Sequence, residues 1–324
     1  MLAVPAHAKV NLALEVVGRR PDGYHDLVTV FALLDWHDVV TVDLRHGSGA
    51  DLVCMAGPTA DPAMGAPGSL LSRTAAELRA LAVSSAREGG PGLAGAAALL
   101  DVRIEVDKRL PVAAGLGGGS ADVAAVLRAG AIEVHRLLGI RIAPRDLSDA
   151  GARLGADVPA VLAGGSTLAR GRGEVLEPLP GAPRLHLAVA VAGPSSTAAV
   201  FGALTDAERC PDGRAARVAS ALARGRPPNP SECGSALEVP ATRVSPALAA
   251  AISDLRRVTG LRWPMTGSGG AVFEIAGSAA EAALMAQAAA ELGRRARACR
   301  SLPLALADPG GRPDPTIARP TIAP

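Results

Sequence analysis

The sequence predicts a mixed α/β (α+β) chain built in two parts, divided near residue 178. Three features carry this expectation. Segments of strict two-residue alternation open the chain and recur after residue 100, as half-buried strands require. A glycine-rich loop joins one of these strands to a long run of helical periodicity. A second, smaller group of strand and helix signals follows residue 178.

Taken in order, Val10, Leu12, Leu14 and Val16 alternate with Lys9, Asn11, Ala13 and Glu15, which places Lys9 and Asn11 on one face of a strand. Pro21-Asp22-Gly23 is turn chemistry, and strands are expected over about Val28–Leu34 and Val39–Leu44. Gly57–Ser69 reads as a loop, Leu70–Leu81 as a helix, and Ala86–Gly95 as another loop. Val102, Ile104 and Val106 mark a strand. After the glycine loop, Val123, Val126, Leu127, Ala131, Val134, Leu137 and Leu138 recur at helical spacing. Pro144–Leu154 is a second helix, with Pro in its first turn and Gly155 at its end. Gly164-Gly165 breaks the chain before a further strand, and Leu185–Val191 is another. The stretch from Ala207 to Pro240, rich in Arg, Pro and Gly, takes no assignment. Pro246–Val258 is helical, Thr266-Gly267-Ser268-Gly269-Gly270 is a second glycine loop before the strand Ala271–Ile275, and Ser278 caps a last helix. The expected parts are 1–178 and 179–306, followed by a proline-rich tail, 307–324, expected to be disordered.

Composition removes several function classes. The net charge is +2, from 33 basic and 31 acidic residues, without the excess of a dedicated nucleic-acid binder. Cys54, Cys210, Cys233 and Cys299 have neither metal-ligand nor redox spacing, and the histidines form no H-x-x-x-H pattern. No cluster of protein ligands for a metal is expected. The longest uncharged stretch, Leu187–Thr205, is interrupted by Gly193 and Pro194 and does not read as a membrane span. No basic stretch followed by a long apolar run opens the chain, so the cytoplasm is expected. A monomer or a homodimer is expected.

The segment Pro111-Val112-Ala113-Ala114-Gly115-Leu116-Gly117-Gly118-Gly119-Ser120-Ala121 is the strongest local signal. Glycines let backbone N–H groups approach a ligand, and the loop opens a helix whose free N–H groups and dipole favour an anion. Ser120 can bond a phosphate or ligate Mg²⁺. The loop lacks the Gly-Lys-Ser/Thr ending of a Walker loop and the spacing of a dinucleotide site, so it is a different phosphate cradle. Its bland alternative is a tight strand-to-helix turn. On spacing alone, Asp157 reads better as a helix cap and Lys9 as a solvated strand residue. Tyr24 and His25, after the Pro-Asp-Gly turn, are suggestive by their nearness to Lys9 and no more.

Together these segments resemble the GHMP kinases. Lys9-Val10-Asn11-Leu12, Arg20-Pro21-Asp22-Gly23-Tyr24-His25, Leu110 to Asp122, Gly155-Ala156-Asp157-Val158-Pro159 and Thr266-Gly267-Ser268-Gly269 stand in that family's order over about residues 5–305. The first two and the Gly-Ala-Asp-Val-Pro segment narrow the resemblance to the branch that phosphorylates 4-diphosphocytidyl-2-C-methylerythritol. It implies the two-domain GHMP kinase fold, with an N-terminal part like ribosomal protein S5 domain 2 and a ferredoxin-like C-terminal part. It implies ATP and Mg²⁺, and transfer to the 2-hydroxyl of a cytidine-diphosphate-bearing substrate of the non-mevalonate isoprenoid route. By the same resemblance Asp157 is the catalytic base and Lys9 its partner. Lys108 lies near the ATP nucleoside, and Asn11, Tyr24 and His25 line the acceptor pocket. Phe201 faces Tyr24 across the cytosine; without the resemblance it reads as core. The chain has Ser69 and Ser235-Ala236 where the family has Asn and Asn-Asp. Two other readings stand beside this one: a GHMP kinase for another small alcohol, and a non-catalytic ligand-binding paralogue.

Overall fold

Two long antiparallel strands, β1 (Leu2–Arg19) and β2 (His25–His46), carry the first part of the protein. The computed structural model describes residues 1–87, 90–209 and 211–303; Cys210 and the proline-rich tail 307–324 lie outside them. The two strands expected over 28–34 and 39–44 are one. Leu34, Trp36, Asp38, Val40, Val42 and Leu44 are all buried, so the inward period of two runs unbroken through the junction. β3 (Asp51–Ala56) follows, too short a run to stand out in the sequence. Then come α1 (Leu70–Ala86), capped by the Ser69 hydroxyl, and α2 (Pro91–Ala98). The loop expected over 86–95 is therefore corrected. Pro91 is well suited to a first helical turn, and the alanines that follow are strong helix formers.

β4 (Leu100–Asp107) lies parallel to β3 and antiparallel to the second half of β2. The glycine loop then leads into α3 (Gly118–Leu138), followed by α4 (Pro144–Leu154) and the short α5 (Val158–Ala163). A hairpin of β5 (Ser166–Gly171) and β6 (Val175–Pro178) pairs with the first half of β2. β2 thus has β1 along one edge and β4 and then β5 along the other.

The second group begins with β7 (His186–Val191), α6 (Thr197–Gly202) and α7 (Arg214–Ala223). It continues with the two-residue β8 (Gly234–Ser235), α8 (Glu238–Val244), α9 (Pro246–Thr259), β9 (Ala271–Ala276), α10 (Ala279–Glu291) and β10 (Arg295–Arg300). β7 is the middle strand of an antiparallel sheet ordered β10-β7-β9. β10 escaped the sequence reading because arginines face outward and small residues, Ala296 and Ala298, face the core. The unassigned 207–240 stretch supplies α7, β8 and the start of α8. Among the described residues no helix is long and apolar enough to cross a membrane.

Apolar burial explains how these pieces hold. Val40, Val42, Ile104 and Val106 of the large sheet pack with Leu78 of α1 and Val126 and Leu127 of α3. A second cluster joins Val10, Leu12 and Leu34 of that sheet to Leu187, Val189 and Phe273 of the small one, so the two sheets share a core.

One charged residue binds the poorly patterned 207–240 stretch to β1. Glu15 is buried, and its carboxylate accepts from the N–H groups of Asp212 and Gly213, each at 2.8 Å, and of Ala215 at 3.0 Å. It fills the N-terminus of α7, where a negative charge is favoured. Replacing Glu15 by Ala strips three donors of their acceptor and should lower the unfolding free energy by about 3 kcal/mol in urea denaturation. Glu15→Gln, which keeps one acceptor oxygen, should cost less.

Candidate active site

The site forms along the edge of β1 that faces away from β2. Lys9 N–H donates to the Leu116 carbonyl of the first glycine loop at 2.9 Å. Two residues on, Asn11 N–H donates to Thr266 Oγ1 of the second glycine loop at 2.7 Å. Further along, Ala13 and Leu14 pair in parallel with Gly234 and Ser235, and Ala236 N–H donates to the Leu14 carbonyl at 2.9 Å. Three sequence-distant segments thus complete one strand edge.

The glycines follow from how closely these segments meet. A Cβ on Gly115 would run into the Gly269 carbonyl, and one on Gly117 would lie 2.8 Å from Lys9 Cγ; both glycines have positive φ. Among the described residues, Ala113 and Trp263 are the two non-glycine residues with positive φ, and each stands within or just before a glycine loop.

Lys9 is buried, and its ammonium donates to Asn11 Oδ1 at 2.8 Å and lies 3.2 Å from Asp157 Oδ2. Asn11, only 2% exposed, is fixed in turn because its Nδ2 donates to Thr29 Oγ1 at 2.8 Å. Its side chain is therefore engaged with Lys9 and Thr29. Asp157 stands just ahead of α5 but makes no capping hydrogen bond; its side chain, 33% exposed, turns to Lys9 instead. The bland reading of Asp157 as a helix cap fails for that reason.

α3 begins beside this pair. Gly117 precedes it in a left-handed conformation, no side chain caps it among the described residues, and its first turn holds no acidic residue. Its leading N–H groups are available to an anion. They line a cavity of about 610 Å³ bounded by the glycine loop, Met64, Ser69, Leu70, Lys108 and Asp122. A nucleoside triphosphate fits such a site: phosphates at an uncapped helix start and a mainly apolar wall for the base. The Ser120 hydroxyl faces the Gly155 turn, 3.6 Å from where a Gly155 Cβ would be. Among the described residues no three His, Cys, Asp or Glu side chains gather to hold a metal.

Lys108 sits at the inner end of this cavity, buried between Asp38 and Asp122, with Asp122 Oδ2 at 2.7 Å. Burial opposes its charge, but the two carboxylates outweigh that and raise its pKa. Asp38 also accepts the N–H groups of Arg109 and Leu110. Asp122 is less well provided, since its Oδ1 has no partner. Burial, with Asp38 adding to it against the pull of Lys108, pushes Asp122 up to about 7. The unsatisfied oxygen is an acceptor at the cavity wall.

On the far side of Lys9, Tyr24 is 57% exposed and lies under the Arg172 guanidinium, 4.6 Å from ring centroid to Cζ. His25 stacks on Phe201 with centroids 5.1 Å apart and planes at 27°. The structure thus brings Phe201 to His25; Tyr24 has Arg172 as its partner. Phe201 also packs against the core of the small part. Burial, then Arg209 and Arg19, lower the His25 pKa, so at neutral pH its ring is uncharged, with one donor and one acceptor nitrogen.

Asp38, Asp122 and Arg172 escaped the sequence reading. Asp38 continues the inward period of β2, and Lys108 that of β4; the β2–β4 register, with Val39 opposite Asp107, runs on to set them opposite each other. A charged residue at an inward position of each strand was the available signal. Asp122 was quoted only as part of the glycine motif. Nothing local distinguishes Arg172 from the many other arginines.

The chain matches the family model described as GHMP kinases N terminal domain over residues 71–165. It is 38% identical over 285 residues to the 4-diphosphocytidyl-2-C-methyl-D-erythritol kinase of Moorella thermoacetica, covering 85% of this chain and 90% of that protein. The same kinase of Paracoccus denitrificans is 38% identical over 284 residues, covering 86% and 88%. A crystal structure of 4-(cytidine 5'-diphospho)-2C-methyl-D-erythritol kinase superposes with a TM-score of 0.70 at 33% identity, covering 93% of this chain and 99% of that one. A mevalonate kinase from L. major, at 14% identity and a TM-score of 0.60, shares the fold. The fold and the glycine-loop domain are those of the GHMP kinases. Within that class, the chain belongs to the 4-diphosphocytidyl-2-C-methyl-D-erythritol kinase family.

Asp122 gives a test with a definite sign. Its folded-state pKa lies above the ordinary carboxylate value of 3.8, so between about 4 and about 7 the folded protein binds more protons at this group than the unfolded chain. Relative to Asp122→Asn, the wild type should lose stability as pH rises through that window. Urea denaturation of both proteins at several pH values measures the difference; a flat difference would exclude a titrating Asp122.

Proposed function

We infer that this protein transfers the γ-phosphoryl group of ATP to the 2-hydroxyl of 4-diphosphocytidyl-2-C-methyl-D-erythritol, a step in the non-mevalonate route to isoprenoid precursors. The observation that carries the reading is the Lys9–Asp157 pair, 3.2 Å apart beside the uncapped start of α3, in a chain of this kinase family. A pure binding protein has no use for a carboxylate held against a buried ammonium between two ligand sites.

The chemistry follows from the groups present. The acceptor hydroxyl approaches Asp157, which takes its proton as the oxygen attacks the γ-phosphorus and the bond to the departing ADP breaks. Lys9 orients the Asp157 carboxylate and stabilises charge gathering on the transferred group. Asn11 positions Lys9. The N–H groups at the start of α3, within the segment 111–121, hold the donor phosphates, while Lys108 and Asp122 border the nucleoside end. Mg²⁺, when bound to the triphosphate, neutralises its charge, and Ser120 is the side chain offered to it. Tyr24, His25 and Phe201 receive the cytosine, whose flat ring suits stacking and whose polar edge suits a neutral imidazole. The phosphate and acceptor sites divide between parts 1–178 and 179–306. The cytoplasm, where ATP is made available and thiols stay reduced, is the compartment that fits; burial pushes the Cys233 and Cys299 thiols up to about 12, which leaves them unreactive.

An ADP-release assay with Mg-ATP tests the reading, using 4-diphosphocytidyl-2-C-methylerythritol, homoserine and galactose as acceptors. Turnover is expected with the cytidine compound alone. Turnover with another alcohol would move the substrate, and silence with every acceptor in protein that binds ATP would favour a non-catalytic role. Asp157→Asn should abolish turnover and leave ATP binding nearly unchanged. Tyr24→Ala should raise KM for the cytidine substrate far more than KM for ATP; equal effects would count against stacking.

A further inference from the structure

Arg172 occupies the tip of the β5–β6 hairpin, between two glycines of positive φ. The tip is held in shape: Gly173 N–H donates to the Arg170 carbonyl at 3.1 Å, and Arg172 N–H donates to Glu174 Oε2 at 2.5 Å. On one side the turn lies against the segment that carries Asp157, since a Cβ on Gly173 would be 3.6 Å from the Ala156 carbonyl oxygen. On the other side the Arg172 guanidinium covers the Tyr24 ring at 4.6 Å. The side chain therefore spans the gap between the phosphoryl-transfer pair and the aromatic group.

Neighbouring arginines are already engaged. Arg20 pairs with Asp22 and Asp26, Arg170 with Glu177, and Arg214 with Asp212. Arg172 forms no salt bridge among the described residues, and its guanidinium N–H groups donate to no acceptor there. Stacking on Tyr24 uses the flat face of the guanidinium and leaves its N–H edge free, which is the edge that grips phosphate oxygens in bidentate fashion.

We propose that Arg172 is a specificity-determining residue that binds the diphosphate of the acceptor substrate while braced on Tyr24. The inference rests on the cytidine-diphosphate reading above. In such a substrate the reacting hydroxyl and the cytosine lie at opposite ends of the molecule. With one end at Asp157 and the other at Tyr24, His25 and Phe201, the diphosphate between them passes the cation at the hairpin tip. Arg172 thus reads the one part of the substrate that separates a cytidine diphosphate from cytidine itself. It touches no reacting atom, so its loss should show in acceptor binding and leave kcat and the KM for ATP little changed.

The test is calorimetric titration of the full-length wild type, Arg172→Met and Arg172→Lys with cytidine, CMP and CDP, beside steady-state kinetics. Met keeps the length and apolar stem without the charge; Lys keeps the charge without the planar fork. The wild type should bind CDP more tightly than cytidine. Arg172→Met should weaken CDP by about 10- to 100-fold while changing cytidine by no more than about 3-fold, with Arg172→Lys intermediate. Equal weakening of CDP and cytidine would reduce Arg172 to a support for Tyr24, and unchanged CDP binding would remove it from the site; either overturns the proposal while the acceptor reading stands. A wild type that binds none of the three cytidine ligands would overturn the acceptor reading and this proposal with it. Exposure of the hairpin tip makes misfolding an improbable complication, and matched thermal melts of the three proteins check it.

Discussion

Everything at the site depends on the outward edge of β1. A strand edge is a row of backbone donors and acceptors that must be satisfied. Here the N–H groups of Lys9 and Asn11 take the first and second glycine loops in turn, and the next residues take β8. The same two residues present their side chains to Asp157 and to each other. Backbone pairing therefore fixes both loops relative to the side chains that lie between them. The loops also lean on one another, and residues 195–197 brace both: Ser195 N–H donates to the Ala113 carbonyl at 3.4 Å, and Ser195 Oγ to the Ser268 carbonyl at 2.8 Å. α6, which carries Phe201, starts directly after that brace, so the aromatic group is positioned from the same edge.

Two buried lysines flank the glycine loop, and their environments differ in a way that suits different work. An ammonium has three donors and needs acceptors when taken out of water. Lys108 has two carboxylates, one of them with an oxygen to spare, and serves as a fixed post in the wall. Lys9 has one amide oxygen and one carboxylate, the latter partly open to solvent. That leaves it a donor to offer an incoming anionic group. Removing either partner of such a pair strands a charge and costs far more than the pair contributes, which keeps the arrangement intact through folding.

The strand–loop–helix unit, the helices over 144–154 and 246–258 and both glycine loops were legible because local pattern dictates them. Long strands were less so. β2 was split in two because Asp35 and His37 dilute its hydrophobicity, although Trp36 and Asp38 keep its inward period. β10 and α7 could not be read, since their buried positions are mostly alanine, which marks neither period strongly. The meeting of Lys9 with Asp157, across 148 residues, has no local signature; order along the chain and resemblance supplied it. Arg172 and the Asp38–Lys108–Asp122 group depend on sheet register and hairpin geometry, which emerge only when distant segments pair.

The two departures from the family pattern act through the same framework. Ser69 caps α1, its hydroxyl accepting Ser72 N–H at 3.3 Å, and serine caps a helix as well as asparagine does. The helix start is therefore preserved, and what changes at the cavity wall is reach: a hydroxyl stands where an amide would extend further. Ser235 donates to the Gly267 carbonyl at 2.6 Å and accepts Leu237 N–H at 3.1 Å. Gly267 is the loop residue nearest the Lys9 ammonium; a Cβ there would lie 3.4 Å from Nζ. Position 235 thus governs the site at one remove, by holding the second glycine loop against β1. A short side chain that both donates and accepts meets that demand, so the exchange of Asn-Asp for Ser-Ala leaves the Lys9 environment braced.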